Sequence, residues 1–497
     1  MNQIFKIINL FFILFALIIT SLAISKHTGN IYYYIVFSLI TNALLIYTLN
    51  SKSLFFEIYL SSFIWLGFWF KYSLSLVFLN GIIYDSGPIE NMINIDKAIF
   101  VSIIAISSVF LSFILRKKFY KENSYQIKKE SFFEKSYLKF RKEFILLFIL
   151  LFCFVAFLNL NLNIYQKGFV YQHEIPFLIV NFIKWMLVFG MTTLSCFFIY
   201  TEILRLQKIS PLLITVVFFE IFLSYSSMLS RAVIINLSAI TFSLTKYLDL
   251  IKNKKFFFIL ISFLLISMFL SNNYFSNHIR INFAQEVGND VKNKKINDKE
   301  QIKNDNKDTI KQFKVSNDPK AKLNPINMSS FIIINRWSGI DSMIAIVSSK
   351  KLSFDLFFQS LKEEKIINNK TFYETTFNVD WDGGKEVMIG NKRILKGNTL
   401  PGLFSYLFYS GNYYFLFIII FVLTFIFSVF EIFCKKITNN NMIFASFISF
   451  MICFRIFNFG YAPRDTYLFV ISVLLSVLMI FFLSRFNFFS LHKNNNN

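Results

Sequence analysis

Residues 331 to 347 read FIIINRWSGIDSMIAIV, an apolar run of nearly membrane-spanning length that carries one arginine, Arg336, and one aspartate, Asp341. A charge at the centre of a bilayer costs about 2.5 to 3.5 kcal/mol on the insertion scale, so each of the two calls for a compensating role. A guanidinium can grip a phosphate at two points at once, which an ammonium cannot, and a nearby carboxylate can take a proton. The pair therefore suggests chemistry on a phosphorylated ligand at membrane level.

The other arginines extend that suggestion. The chain has only ten, against 41 lysines, so their placement is informative. Arg116, Arg141, Arg205 and Arg485 sit in the basic segments and read as charges that orient the chain in a bilayer. Arg231, Arg280, Arg336, Arg393, Arg455 and Arg464 fall in the opposite set of segments, where the charge rule expects few basic residues. In YSSMLSRAVIINL, Ser230 and Arg231 open a helix, where backbone N–H groups and the helix dipole would join the guanidinium in facing an anion. In CFRIFNFGYAPRDTY, Arg455 lies about one turn inside an apolar stretch and Arg464 follows beside Asp465. Snorkelling anchors and structural ion pairs are the competing roles for each of these arginines.

Proton acceptors are few. Asp341 is the first choice because it shares a short helix with Arg336, and Asp465, Glu374 and His278 are the alternatives. Asp380 and Asp382 in NVDWDGGKE have a spacing that can hold a divalent cation, but the two glycines that follow make an Asp-rich turn the better reading. Four dispersed cysteines and four dispersed histidines show neither zinc-site spacing nor a disulfide framework, so no metal and no cofactor is expected. In GNTLPGLFSYLFYSGNYYF, Tyr406, Tyr409, Tyr413 and Tyr414 offer rings that stack on sugars, a role they share with ordinary aromatic-belt residues.

The elements that must position these groups are set by composition. Of 497 residues 55% are hydrophobic and only 16% charged, and mean hydropathy is +0.54, far more apolar than the core of a water-soluble domain requires. The expected fold is an all-α polytopic membrane protein. Spanning stretches occur at about 4–24, 31–49, 54–79, 98–115, 144–160, 176–200, 210–228, 232–248, 256–271, 413–433, 442–459 and 466–484, about twelve helices. The first is too long for a signal-peptide core and reads as an uncleaved span. The chain divides into a membrane domain at 1–271 with helices 1 to 9, a large external loop at 272–400 with short amphipathic helices, and a second membrane part at 401–497 with helices 10 to 12 and a short tail.

Basic residues set the orientation. Segment 116–143 holds ten, and TEILRLQKI, KYLDLIKNKK and CKKITNN continue the bias at alternate loops, so both termini are expected in the cytoplasm. The net charge of +22 then faces anionic lipid headgroups, and nucleic acid is not an expected partner. Residues 331–347 do not cross in this arrangement, because a crossing would reverse every later loop. Within the large loop, 286–325 is Lys-, Asn- and Asp-rich with little to bury, and reads as solvated. On a helical projection Ile333, Trp337, Ile340, Ile344 and Val347 make one stripe, Asn335, Ser338, Gly339 and Ser342 the opposite face, and Arg336 and Asp341 flank the stripe about 140° apart. That pattern predicts an interfacial or re-entrant helix with its apolar side on the membrane domain and its polar side toward an external cavity.

The order of these features resembles the O-antigen polymerase (Wzy-type) family of oligosaccharide repeat-unit polymerases. The likeness rests on many spans, a Ser-Arg at the start of a helix, one large late external loop, NRWSGIDSMIAIV within that loop, and NTLPGLFSYLFYSGN leading into the next span. Related sequences often read Ser-Arg-Gly where this one has Ala232. The resemblance implies a polysaccharide polymerase in the bacterial inner membrane. It would transfer a growing glycan from undecaprenyl pyrophosphate onto the terminal sugar of the next lipid-linked unit at the periplasmic face, for an O-antigen of lipopolysaccharide or a capsule-like polymer. Its implied partners are undecaprenyl pyrophosphate-linked oligosaccharides, membrane lipids and a chain-length regulator. Arg231, Arg336 and Asp341 would be catalytic, the arginines holding the leaving pyrophosphate together with Arg455. Arg280, Arg464, Ser230 and Tyr409 would complete substrate binding. An O-antigen ligase or another lipid-linked-sugar transferase would use the same donor. A flippase would need similar basic groups, but no repeat of spans relates the two halves.

Overall fold

A computed structural model describes residues 2–50, 53–79, 81, 83, 93–120, 130–166, 169–171, 175–208, 210–230, 233–245, 247, 259–267, 270–271, 274, 339–363, 371–379, 387–389, 392–394 and 400–485. Seven helices among them are long and apolar enough to cross a membrane, and three further apolar helices are shorter. The protein is a helical membrane protein. Arg231, Arg280, Arg336, His278, Asp380, Asp382 and the 286–325 segment lie outside the described residues, as do five of the 16 residues of the expected span at 256–271.

The first five helices are α1 (Asn2–Ile24), α2 (Ile31–Asn50), α3 (Phe55–Ile64), α4 (Lys71–Phe78) and α5 (Ile95–Phe119). A π-helical segment, Trp65–Phe70, joins α3 to α4 without a break, so the two make one span. Next come α6 (Phe132–Lys139), α7 (Arg141–Leu162), α8 (Phe177–Trp185), α9 (Met191–Leu206), α10 (Pro211–Ser227) and α11 (Val233–Leu244), with a second π segment, Met186–Gly190, joining α8 to α9. The later helices are the short α12 (Ile340–Val347), α13 (Phe354–Ser360), α14 (Phe372–Phe377) and α15 (Gly402–Leu407), then the long α16 (Tyr413–Ile437), α17 (Met442–Phe457) and α18 (Ala462–Arg485).

Local sequence explains where the long helices begin and end. Helix α5 has Asp96 in its first turn and Arg116, Lys117 and Lys118 in its last, matching the helix dipole at both ends. Asn412 and Asn441 cap α16 and α17 by accepting the N–H groups of Phe415 and Phe444, and Pro211 occupies the first turn of α10. At 25 residues, α5 and α16 are each about 37 Å long, enough for a hydrocarbon core of about 30 Å with tilt. Helix α5 packs against α16 and α2, α17 against α3 and α11, and α10 against α7.

One end of the bundle is basic. There Arg116 pairs with Glu57, Arg205 with Glu134, and Arg141 with Glu202, which also receives the Tyr137 hydroxyl. These arginines were expected as charges that orient the chain in a bilayer; Arg116 is also buried, and all three tie helices together. Burial raises the Glu134 carboxyl while Arg205 holds it down. Glu431 of α16 accepts the Phe55 and Phe56 N–H groups at the start of α3, with Lys435 2.9 Å away.

At the opposite end the described residues also include one small antiparallel sheet, an element beyond the expected all-α fold. Strand β1 (Phe169–Tyr171) pairs with β3 (Lys392–Ile394), which pairs with β2 (Val387–Ile389). The turn after α7 is thus joined to the end of the long segment before α15. Within that segment an interfacial or re-entrant helix was expected, with its apolar side on the membrane domain and its polar side toward an external cavity. Helix α12 does lie against the bundle, but all eight of its residues are buried, and it packs on α5, α15 and the first π segment. Ser342, expected on a polar outer face, is among them, because a third element covers the side that the projection left open.

Candidate functional site

The site starts from Asp341, in the first turn of α12. Its Oδ1 accepts the Gly339 N–H at 2.8 Å and lies 3.3 Å from Nζ of Lys71. Lys71 is fully buried, seven residues before the end of its span, and is the first residue after the π segment. π segments widen the helical turn and recur at functional sites, here turning the lysine toward α12. The pair is a buried salt bridge inside the apolar bundle, where each charge depends on the other.

Backbone contact brings the two together. A Cβ added to Gly339 would fall 2.4 Å from the Gly67 carbonyl oxygen, so only glycine lets α12 approach the π segment this closely. One residue beyond Asp341, the Ser342 hydroxyl contacts the Pro401 carbonyl at 2.7 Å and the Ser405 hydroxyl at 2.9 Å. The gap between Phe68, Gly339, Pro401, Ser405 and Phe457 is only about 10 Å³, room for about one water. No sugar fits there in this conformation.

A second cluster lies on the other side of α15, where the Gly402 N–H donates to the Phe459 carbonyl at 3.1 Å. Arg455, near the end of α17, donates to the carbonyls of Asn458 and Gly460, both at 3.0 Å, and to the Thr466 hydroxyl at 3.1 Å, with its guanidinium over the Phe459 ring. It caps its own helix and ties it to α18, the structural role weighed against phosphate binding, although its buried Nε has no acceptor among the described residues. Arg464 is exposed nearby, beside Asp465. Ser230 is buried and donates its N–H to the Tyr225 carbonyl at 2.9 Å. Asn159 holds this corner by donating to the carbonyls of Ser227 and Tyr165. Burial pushes the Tyr165 hydroxyl up, and the Asp465 charge adds to it.

Two expected groups take other parts. Tyr409 is buried among Phe372, Phe377 and Tyr406, so it presents no face to a glycan; three aromatic neighbours enclose a ring that a sequence shows only as surface-prone tyrosine. Glu374 closes a capping box with Thr371 at the start of α14, its carboxylate accepting the Thr371 N–H at 2.9 Å.

Two further groups escape sequence reasoning. Lys71 carried a legible signal, a lysine well inside an apolar span. Glu363 carried none. It accepts the Phe372 N–H at 2.7 Å; burial raises its carboxyl, the N–H groups of Phe372 and Tyr461 lower it, and Glu374 and Asp465 raise it further. Three carboxylates, Arg455 and the Tyr406 hydroxyl, which burial pushes up to about 12, thus share one corner of the bundle. Among the described residues no group of histidine, cysteine and carboxylate side chains could hold a metal. Comparison with family models, with curated proteins and with solved structures returns no match, so the chemistry rests on these residues.

Proposed function

We propose that this chain is a membrane glycosyltransferase that polymerises oligosaccharide repeat units carried on undecaprenyl pyrophosphate, at the periplasmic face of a bacterial inner membrane. The observation that supports it is the meeting of two segments that carry the sequence resemblance. Ser342 of SGIDSMIAIV bonds to Pro401 and Ser405 of LPGLFSY, one residue from Asp341, which pairs with Lys71. The reading includes twelve spans, cytoplasmic termini and a periplasmic location for the end that carries both clusters.

In the reaction, a hydroxyl of the incoming unit's terminal sugar attacks the anomeric carbon of the growing chain. The bond from that carbon to the pyrophosphate oxygen breaks, its electron pair leaves with undecaprenyl pyrophosphate, and the hydroxyl proton passes to a carboxylate. Asp341 takes that proton after Lys71 turns to the charge developing on the leaving group. Arg231 and Arg336 hold the pyrophosphate, while Arg280 and Arg464 guide the second lipid.

Purified protein reconstituted with the undecaprenyl pyrophosphate-linked repeat unit, without nucleotide sugar, tests this directly. A ladder of multiples that disappears in Arg336→Ala and Asp341→Asn is the expected result. A substrate that stays a single unit but changes leaflet would establish transport of lipid-linked oligosaccharide. That second reading is favoured by the buried Lys71–Asp341 pair and by Glu220, whose carboxylate is met within the bundle by the hydroxyls of Ser224 and Ser195 and by no cation among the described residues.

A further inference from the structure

A groove of about 500 Å³ opens at the far end of α12 from Asp341, lined by Asn94, Lys97, Ser348, Ser349, Lys350 and Tyr413 among others. Its size is that of a small-molecule site. Its lining holds two ammonium groups, an amide and three hydroxyls, and no carboxylate. The nearest acid in sequence, Asp96, is turned away: both its oxygens accept the Asn30 N–H, at 2.9 Å, and it faces His27. Two of the donors in the groove are loosely engaged. Lys97 Nζ lies 3.5 Å from the Val347 carbonyl, and the Asn94 amide 3.5 Å from the Ser348 hydroxyl, both at the limit of hydrogen bonding. Lys97 and Lys350 are exposed.

Its position selects among anions. Lys97 is in the first turn of α5 and Tyr413 opens α16, two helices long and apolar enough to span, so the groove lies at the level of a membrane interface. One turn further into the same helices, Phe100 and Ile418 are exposed apolar side chains, and Tyr414 is exposed beside the rim. A ligand with a phosphate in the groove and a hydrocarbon tail along α5 and α16 would satisfy both surfaces.

We propose that this groove binds the phosphate headgroup of a lipid and, on the polymerase reading above, the diphosphate of one of the two lipid-linked substrates. That substrate would lie beyond α12 from Asp341, with its glycan free to reach over the helix toward the reacting centre.

The test is binding of undecaprenyl pyrophosphate to the full-length protein in nanodiscs of neutral lipid, with Lys97→Ala/Lys350→Ala as the variant and Lys142→Ala, at the basic end, as the control. Affinity about tenfold weaker in the double variant, an unchanged control and unchanged thermal stability support the site. Competition by inorganic pyrophosphate, with undecaprenol failing to compete, assigns recognition to the phosphate. Equal affinity of variant and wild type overturns the proposal, and so does binding of inorganic pyrophosphate without binding of the lipid, which would mark a free-phosphate site. Because the readout is binding, a protein that binds the lipid in this way yet forms no polymer overturns the polymerase reading and leaves the groove assigned. A protein that forms polymer while the variant binds normally overturns the groove alone.

Discussion

Gly339 and Gly67 touch backbone to backbone, and that contact seats α12 against the π segment that carries Lys71 into the bundle. A methyl group at Gly339 would sit 2.4 Å from the Gly67 carbonyl oxygen, and the obstacle is main chain, which cannot swing aside as a side chain can. Gly339→Ala is therefore expected to lower stability by about 1 to 3 kcal/mol and to displace Asp341 from Lys71. Melting of the detergent-solubilised protein, measured beside Ser349→Ala as a control, checks this; equal melting of the two variants would refute the contact.

Lys71 and Asp341 are expected to behave as one unit. Removing either partner takes from the other the opposite charge beside it inside the bundle, at a cost of about 3 to 5 kcal/mol, whereas removing both leaves two neutral groups. Lys71→Met and Asp341→Asn should each melt well below the wild type, and the double variant should melt above either single one. Additive losses in the cycle would mean that the pair is not coupled. On the polymerase reading the double variant recovers stability without recovering the product ladder.

Glu363 predicts a pH dependence with a definite sign. Its carboxyl is raised above the ordinary value of 4.5, chiefly by burial, so the folded protein binds its proton more tightly than the unfolded chain does. Its contribution to stability is full below pH 4.5 and is lost as pH rises through the raised folded value. Glu363→Gln keeps an acceptor for the Phe372 N–H and removes the titration, so its melting temperature should fall less than that of the wild type as pH rises from 4.5. Parallel profiles would show that the carboxyl is not perturbed.

Much of the fold was legible because a bilayer leaves a strong record in sequence. The span expected at 31–49 is Ile31–Asn50, that at 413–433 is Tyr413–Ile437, and that at 466–484 lies within Ala462–Arg485. The polar ends of these helices extend past the hydropathy signal because caps and basic last turns continue the helix beyond the apolar run. The site was less legible. A helical projection tells which residues of α12 share a face, but not that α5, α15 and the π segment would cover all of them. Asp341 could be singled out by its charge, yet its partner is 270 residues earlier in the chain, and a single sequence carries no register between such distant segments. Arg455 stood out for the same reason as Asp341, while the carbonyls it serves come from a turn whose shape no residue type announces.

The arginine pairs at the basic end divide that surface by chemistry. Three guanidinium groups, on Arg116, Arg141 and Arg205, are spent on carboxylates between helices, where their planar donors fix geometry. The charge left to its surroundings there is mostly ammonium, mobile and strongly hydrated, which salt screens readily. The same end of the protein can therefore be stapled within and fluid without. Raising ionic strength should loosen its hold on anionic lipid long before it loosens the helices from one another.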